Sequence, residues 1–100
     1  MKTITVDGKK FIEAYSGPVK IVVLEHGFVY IGRVEMFGED VAIHSARSLI
    51  RWGTQNHLGQ LINGPLENTK LGDPCEVLSR LSQVIHLIEV NQDAWNKYID

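Results

Sequence analysis

The sequence predicts a mainly β protein, a small and strongly bent barrel of about five strands. Two observations predict this fold class. Residues 19–46 contain three apolar, strand-like runs separated by two short turns. Within the second run lies Gly32, and a glycine inside a strand is typical of a sharp bend or of the close approach of another backbone. A long strand that bends at a glycine is how a small sheet curls into a barrel.

The order of strands and turns follows from residue type. The first run, residues 19–24, is β-branched and apolar, as a strand buried on both faces is. Gly27 ends the break that follows and can supply the positive φ of a tight turn. The second run alternates so that one face is mostly apolar. We therefore predict strand 19–24, turn 25–27, strand 28–37, turn 38–40 and strand 41–46.

The N-terminal segment, residues 1–17, allows two interpretations. Asp7-Gly8 is a strong hairpin signal, and a turn there sets Val6 opposite Lys9 and Ile4 opposite Phe11. Alternatively, Asp7 caps a short helix over residues 9–15. The turn chemistry favours the hairpin. Ser16-Gly17-Pro18 then separates this segment from the central strands.

The second half of the chain is predicted to contain a long insertion, residues 47–74, between the third and fourth strands. It opens with an extended segment that places Arg47, Leu49 and Arg51 on one side. Thr54 is the predicted cap of a short helix over residues 55–62, whose apolar face holds Leu58, Leu61 and Ile62. Strands four and five are predicted at 76–81 and 83–90, with a bend at Ser82. Residues 91–100 are predicted to form a polar tail with one helical turn around Trp95 and Tyr98.

The segment LEHGFVYIGRVEMFG, residues 24–38, carries a family resemblance. Its spacing of Leu24, Gly27, Tyr30, Gly32, Val34 and Phe37 resembles the first motif of the Sm-like family, which includes the bacterial RNA chaperone Hfq. In that family an aspartate commonly follows the last apolar residue, a place that Gly38 occupies here. SQVIHLIEV, residues 82–90, resembles the second motif in its apolar spacing, without the lysine–histidine pair of the Hfq type. The resemblance implies a barrel that forms rings by pairing the edges of its fourth and fifth strands and that binds RNA. Sm-like proteins usually open with a helix.

The segments GPVKIVVLE, RWGT and GP follow one another along the chain in an order that also resembles small uncharacterised phage and bacterial proteins. This resemblance implies no activity.

Composition limits the protein's class. One hundred residues with 44% apolar and 22% charged content are typical of one globular domain. A net charge of −2 argues against a broad nucleic-acid surface, which usually requires a basic face. Because Cys75 is the single cysteine, an internal disulfide is excluded and a reducing compartment is expected. No run reaches the ~18 apolar residues of a membrane helix and no signal-peptide core opens the chain, so we expect a cytoplasmic protein with no membrane partner.

Catalytic and metal motifs are missing from the sequence. The four histidines and Cys75 show no metal-ligand spacing, and there is no nucleophile elbow, cysteine–histidine signature or phosphate-binding glycine loop. We therefore expect a non-enzyme that needs no cofactor and no metal. A small hydrolase is the weakest of the functions considered.

The best candidate binding site is the start of the predicted insertion. Arginines bind phosphate bidentately, and an indole can stack on a base. A helix that opens at Thr54 would add N–H donors for an anion. In the alternative reading, Trp52 belongs to the core and the arginines pair with Glu35, Glu39 or Asp40. The candidate ligand-binding residues are Arg47, Arg51, Trp52, Thr54, Gln55 and Asn56.

Two functions of different classes are consistent with these features. The first is a ring-forming, Sm-like binding module that engages itself and RNA or a small nucleotide. The alternative is a protein-interaction module, phage-encoded and acting on a host protein. The apolar VIHLIEV run has no edge-blocking lysine or proline, which favours assembly through strand edges.

Overall fold

The computed structural model describes residues 17–55 and 57–99, together with the backbone strands at 5–6 and 9–10. The predicted mainly β class is confirmed: a six-stranded antiparallel sheet dominates the chain. Its order is β6-β5-β4-β3-β8, and β7 pairs with β5 beside β6. Within the described residues the two outer edges do not pair with each other, so the single chain forms an open sheet and not a closed barrel.

The strand boundaries lie close to those that the apolar pattern predicts, except at β5. Short 3-10 turns at Glu25–Gly27 and Leu81–Gln83 form two of the connections, and the second contains the predicted bend at Ser82. Gly27 has the expected positive φ of 82°. The main strands are β3 (Val19–Leu24), β4 (Val29–Phe37), β5 (Asp40–Arg51), β6 (Lys70–Leu71), β7 (Cys75–Arg80) and β8 (Val84–Glu89).

The N-terminal segment contains two short strands, β1 (Thr5–Val6) and β2 (Lys9–Lys10). They pair antiparallel with Val6 opposite Lys9, which is the register of the hairpin interpretation. The helix interpretation does not fit a strand at Lys9–Lys10. The predicted Ile4–Phe11 pair and the Asp7-Gly8 turn lie outside the described residues.

Gly32 marks the irregularity that its place in the strand predicts. The β4–β5 register shifts there: Ile31 faces Arg47 and Arg33 faces His44, so that two residues of β5 lie opposite Gly32 alone. One of those two, Ser45, has a positive φ of 54°. A Cβ on Gly32 would lie 2.7 Å from Ile43 Cγ2 and 3.0 Å from the Ala46 Cα. The two backbones therefore approach closely at a β-bulge, the device that bends a sheet.

Apolar residues are buried on both faces of the sheet. On one face, Val22, Val34 and Ile43 belong to a cluster formed by strands alone. On the other, which we call the helix face, Ile21 and Ile31 belong to a cluster closed by residues from outside the sheet. The period of two in β3 and β4 sends alternate side chains to these two clusters.

The helical turn predicted around Trp95 and Tyr98 is part of a longer element, because residues 92–99 form a docked helix, α1 (Gln92–Ile99). Trp95 is fully buried in the helix-face cluster, and its Nε1 donates to the Leu61 carbonyl at 2.8 Å. The Gln92 side chain bonds both backbone groups of Val19, at 2.6 and 2.8 Å. An indole that buries its ring and also satisfies its N–H is a strong anchor. The helix therefore completes the core.

The predicted insertion also differs from the structure. The third strand runs on to Arg51 instead of ending at Ala46, and the predicted helix over 55–62 is reduced to a 3-10 turn, Leu58–Leu61, which begins after His57. Leu58 and Leu61 are buried in the helix-face cluster, whereas Ile62 is exposed. The chain then returns to the sheet through β6, which pairs with the end of β5.

Candidate anion-binding site at the end of β5

Arg47 supports the fold and does not present a free cation. Its Nε donates to the Gly72 carbonyl at 2.7 Å, and its Nη1 donates to the Tyr98 carbonyl at 3.2 Å. The Tyr98 carbonyl lies in the last turn of α1, where carbonyls lack helical partners. Arg47 thus joins β5 to the segment after β6 and to the C-terminal end of the helix. Its predicted role in ligand binding stays a prediction.

Arg51 and Trp52 are both exposed where β5 ends. Arg51 is exposed at the last position of β5, and within residues 17–55 and 57–99 its guanidinium makes no hydrogen bond or ion pair. The Trp52 side chain is 41% exposed, so the indole is not a core residue. The acidic residues considered as alternative partners are engaged elsewhere: Glu39 and Asp40 pair with Arg80.

The backbone around Trp52 is fixed by the neighbouring chain. Its carbonyl accepts a 2.6 Å hydrogen bond from Thr69 Oγ1, which itself accepts from the Leu66 N–H at 2.9 Å. Gly53 has a φ of 73°, and a Cβ there would lie 2.6 Å from the backbone of Asn68 and of Thr69. A glycine is therefore needed at this contact. The turn before β6 and the end of β5 are held together as one unit.

Lys70 is the functional candidate that the sequence analysis missed. It is exposed, and the β5–β6 register places it directly opposite Arg51. Like Arg51, it has no ion-pair partner in the part of the chain that the structure describes. The only sequence signal was its position after the Leu66–Thr69 turn, because a strand of two residues shows no periodicity.

The other predicted site residues are not assembled as expected. Because the 3-10 turn begins after His57, Thr54 does not cap a helix, and the predicted N–H donors for an anion are missing from this position. The Gln55 backbone N–H donates instead to the Gln60 side chain at 2.8 Å. Asn56 lies outside the described residues.

A second polar cluster lies on the helix face, beyond the area that α1 covers. His44 Nε2 lies 2.9 Å from Glu35 Oε1, and His44 Nδ1 lies 3.1 Å from Glu76 Oε2. This histidine bridges the carboxylates of β4 and β7 across β5. Each carboxylate faces a different ring nitrogen, so the three side chains do not converge on one point, and no set of three His, Cys, Asp or Glu side chains in the described chain could hold a metal ion.

A groove of about 440 Å³ lies at the far end of β7 from Lys70 and Arg51, lined by Glu39, Arg80, Leu81 and Ser82. Its single cation, Arg80, is paired with Glu39 and Asp40. The groove therefore offers less to an anion than the end of β5 does.

Comparison of the chain with protein-family models and with curated proteins finds no match. Among the described residues, each helix is too short or too polar to cross a membrane. The Sm-like resemblance stays a prediction, and the function has to be argued from the geometry of the chain itself.

Proposed function

We propose that this protein is a non-enzymatic, Sm-like binding module that assembles into a ring or another symmetric homo-oligomer and engages RNA or a small nucleotide. The observation that carries the proposal is the open sheet. Its fourth and fifth long strands, β7 and β8, lie at opposite edges and have no partner on their outer sides within the described residues. An unpaired edge is a template for another strand.

Both edge strands carry the features of an assembly surface. Leu78 of β7 is 68% exposed and Ile85 of β8 is 53% exposed. Neither strand contains lysine or proline, the residues that natural proteins use to block an edge. Pairing β7 of one copy with β8 of the next joins two different surfaces, and such head-to-tail contacts generate a ring when the rotation closes.

Light scattering after size-exclusion chromatography tests the assembly. We expect a mass well above 11.3 kDa at tens of micromolar. Leu78→Lys and Ile85→Lys place a charge on an edge and should shift the protein towards the monomer. Phe28→Lys is the matched control, because Phe28 is equally exposed, at 57%, but lies outside the strands. A monomeric wild-type protein at these concentrations would rule out the ring.

The ligand part of the proposal is supported by Arg51 and Trp52, which are exposed at consecutive positions, with the Trp52 carbonyl held by Thr69. Losing one arginine–phosphate contact should cost about 1.5–3 kcal/mol, or roughly ten- to hundredfold in affinity. The test is titration of short RNA and of mono- and dinucleotides against the wild type, Arg51→Ala and Trp52→Ala, each first shown to be folded. A high 260/280 nm absorbance ratio of the purified protein would be direct support. If the wild type binds none of these ligands, this part fails.

The alternative, a module that binds another protein, is favoured by a different surface. The register places Leu78 beside Ala42 on the helix face, and Phe37, which is 47% exposed, lies one position further along the same face. Leu78 and Phe37 are thus both exposed at this end of the helix face. If the protein forms no oligomer and binds no nucleotide or RNA, the protein-interaction reading takes precedence.

A further inference from the structure

Arg51 and Lys70 bring two exposed cations together on neighbouring strands. They are partners in the β5–β6 pairing, at a register shift between Leu49 and Arg51, and like charges on facing strands repel each other. Within the described residues, neither side chain has an acidic partner. An anion held between them turns this repulsion into two charge-assisted contacts.

The number of cations indicates the kind of anion. A phosphate group with one ester bond carries a charge of about −1.5 to −2 at neutral pH, whereas each bridging phosphate of a nucleic acid carries −1. Two cations at one register position match the charge of a phosphate group with one ester bond. The guanidinium can bind two phosphate oxygens at once, and the ammonium supplies a compact charge from the facing strand.

The surroundings do not extend this site along a polyanion. The nearest basic residue along β5 is Arg47, and its guanidinium is occupied by the carbonyls of Gly72 and Tyr98. Along β5, Arg51 is therefore the one guanidinium that makes no hydrogen bond or ion pair within the described residues. This arrangement suits a single phosphate better than a chain of phosphates.

The backbone that carries the aromatic partner is held in place. Trp52 directly follows Arg51, and its backbone is locked to the segment that leads into Lys70 by the Thr69 hydrogen bond and by the close contact at Gly53. Stacking a base on such an exposed ring is tolerant of base identity. A site that is held in place before binding loses less entropy when the ligand arrives.

From this geometry we infer that Arg51 and Lys70 bind one terminal phosphate, while Trp52 stacks the adjoining base. The ligand class is a nucleoside 5′-monophosphate unit, either free or at the 5′ end of an RNA strand. This inference rests on the proposed nucleotide-binding function and narrows it to the phosphate end of the ligand.

The experiment uses the full-length protein and tryptophan fluorescence. Because Trp95 is fully buried and Trp52 is 41% exposed, quenching by a stacked base reports Trp52, and Trp52→Phe should abolish it. The probes are a nucleoside, its 5′-monophosphate, and one short RNA with either a 5′-phosphate or a 5′-hydroxyl. We expect each phosphorylated probe to bind about tenfold or more tightly than its unphosphorylated partner. Comparing the free nucleotide with the RNA pair shows whether the site prefers a free monophosphate or the 5′ end of an RNA strand.

Variants assign the effect to the two cations. Lys70→Gln and Arg51→Gln should each remove most of the preference for phosphorylated probes, whereas Lys97→Gln, which makes the same charge change on α1, should keep it. If the wild-type protein binds the nucleoside as tightly as its 5′-monophosphate, and the RNA equally well with either 5′ end, the inference fails while the nucleotide-binding proposal survives. If no probe binds, both fail. If Lys97→Gln lost the preference for phosphorylated probes to the same extent, the effect would be one of overall charge. That result would also overturn the assignment of the site.

Discussion

Replacing Gly32 by valine should destabilise the protein strongly, because the space for a side chain is taken by backbone. The nearest atoms to an added Cβ are Ile43 Cγ2 at 2.7 Å, and the Ala46 Cα and His44 carbonyl oxygen, each at 3.0 Å. Ile43 can change its rotamer, but the backbone atoms can move only if the bulge in β5 moves with them. Overpacking of this kind costs about 1–3 kcal/mol, and the two further methyl groups of valine place Gly32→Val at or above the upper end of that range.

Urea unfolding and thermal melting measure the effect. For a domain of this size a loss of about 3 kcal/mol lowers the melting temperature by roughly 10–25 °C. Gly32→Ala should fall between wild type and Gly32→Val. Gly72→Ala is the matched control, since its Cβ would meet Ser48 Cβ at an ordinary distance of 3.4 Å. An unchanged melting temperature for Gly32→Val would mean that the close approach at the bulge does not exist, and the argument for a bent sheet would collapse.

Two further predictions concern the helix face. Trp95→Ala should lower the free energy of unfolding by about 3–5 kcal/mol, because it removes a fully buried indole. Trp52→Ala should change it by less than about 1 kcal/mol. If urea denaturation showed similar losses for the two variants, the docking of α1 would be contradicted. His44→Ala should cost about 1 kcal/mol by removing the ring that contacts both carboxylates. The same measurement on His86→Ala, at an exposed position, should show no loss, and equal effects would remove the bridge as the cause.

The long apolar strands could be predicted from the sequence because their patterns are local. Val19–Leu24 is found at its predicted boundaries, and the irregularity at Gly32 is found where the strand glycine placed it. The left-handed Ser45 in the bulge could not be predicted, since serine is not a residue that marks this conformation. The register shift opposite Gly32 in the partner strand imposes this conformation on Ser45.

Helix α1 and the place of Lys70 in the candidate site depend on contacts between residues that are distant in the sequence. Residues 91–100 read as polar, although Trp95, Tyr98 and Ile99 have the i, i+3, i+4 spacing of a helix face. That signal is weak in so short a segment, and the burial of Trp95 depends on Leu61 from the long excursion. Lys70 lies opposite Arg51 because the same excursion folds back onto β5. Residue type alone could not predict that pairing.

Arg47 and Arg51 have the same-face strand spacing that suggested one site, yet Arg47 is hydrogen-bonded within the fold and Arg51 has no such bond within the described residues, and the consequence of this difference can be tested. Arg47 donates to carbonyls of Gly72 and Tyr98 in two parts of the fold, and hydrogen bonds to a charged group are worth about 1.5–3 kcal/mol. Arg47→Ala should therefore lower the free energy of unfolding by about 2 kcal/mol and leave the affinity of the remaining folded molecules unchanged. Arg51→Ala should do the reverse, because its side chain makes no contact of this kind within the described residues. Urea denaturation and nucleotide titration of both variants at one temperature decide the matter. A folded, fully stable Arg47→Ala variant with weakened nucleotide binding would return Arg47 to the site and refute its structural role.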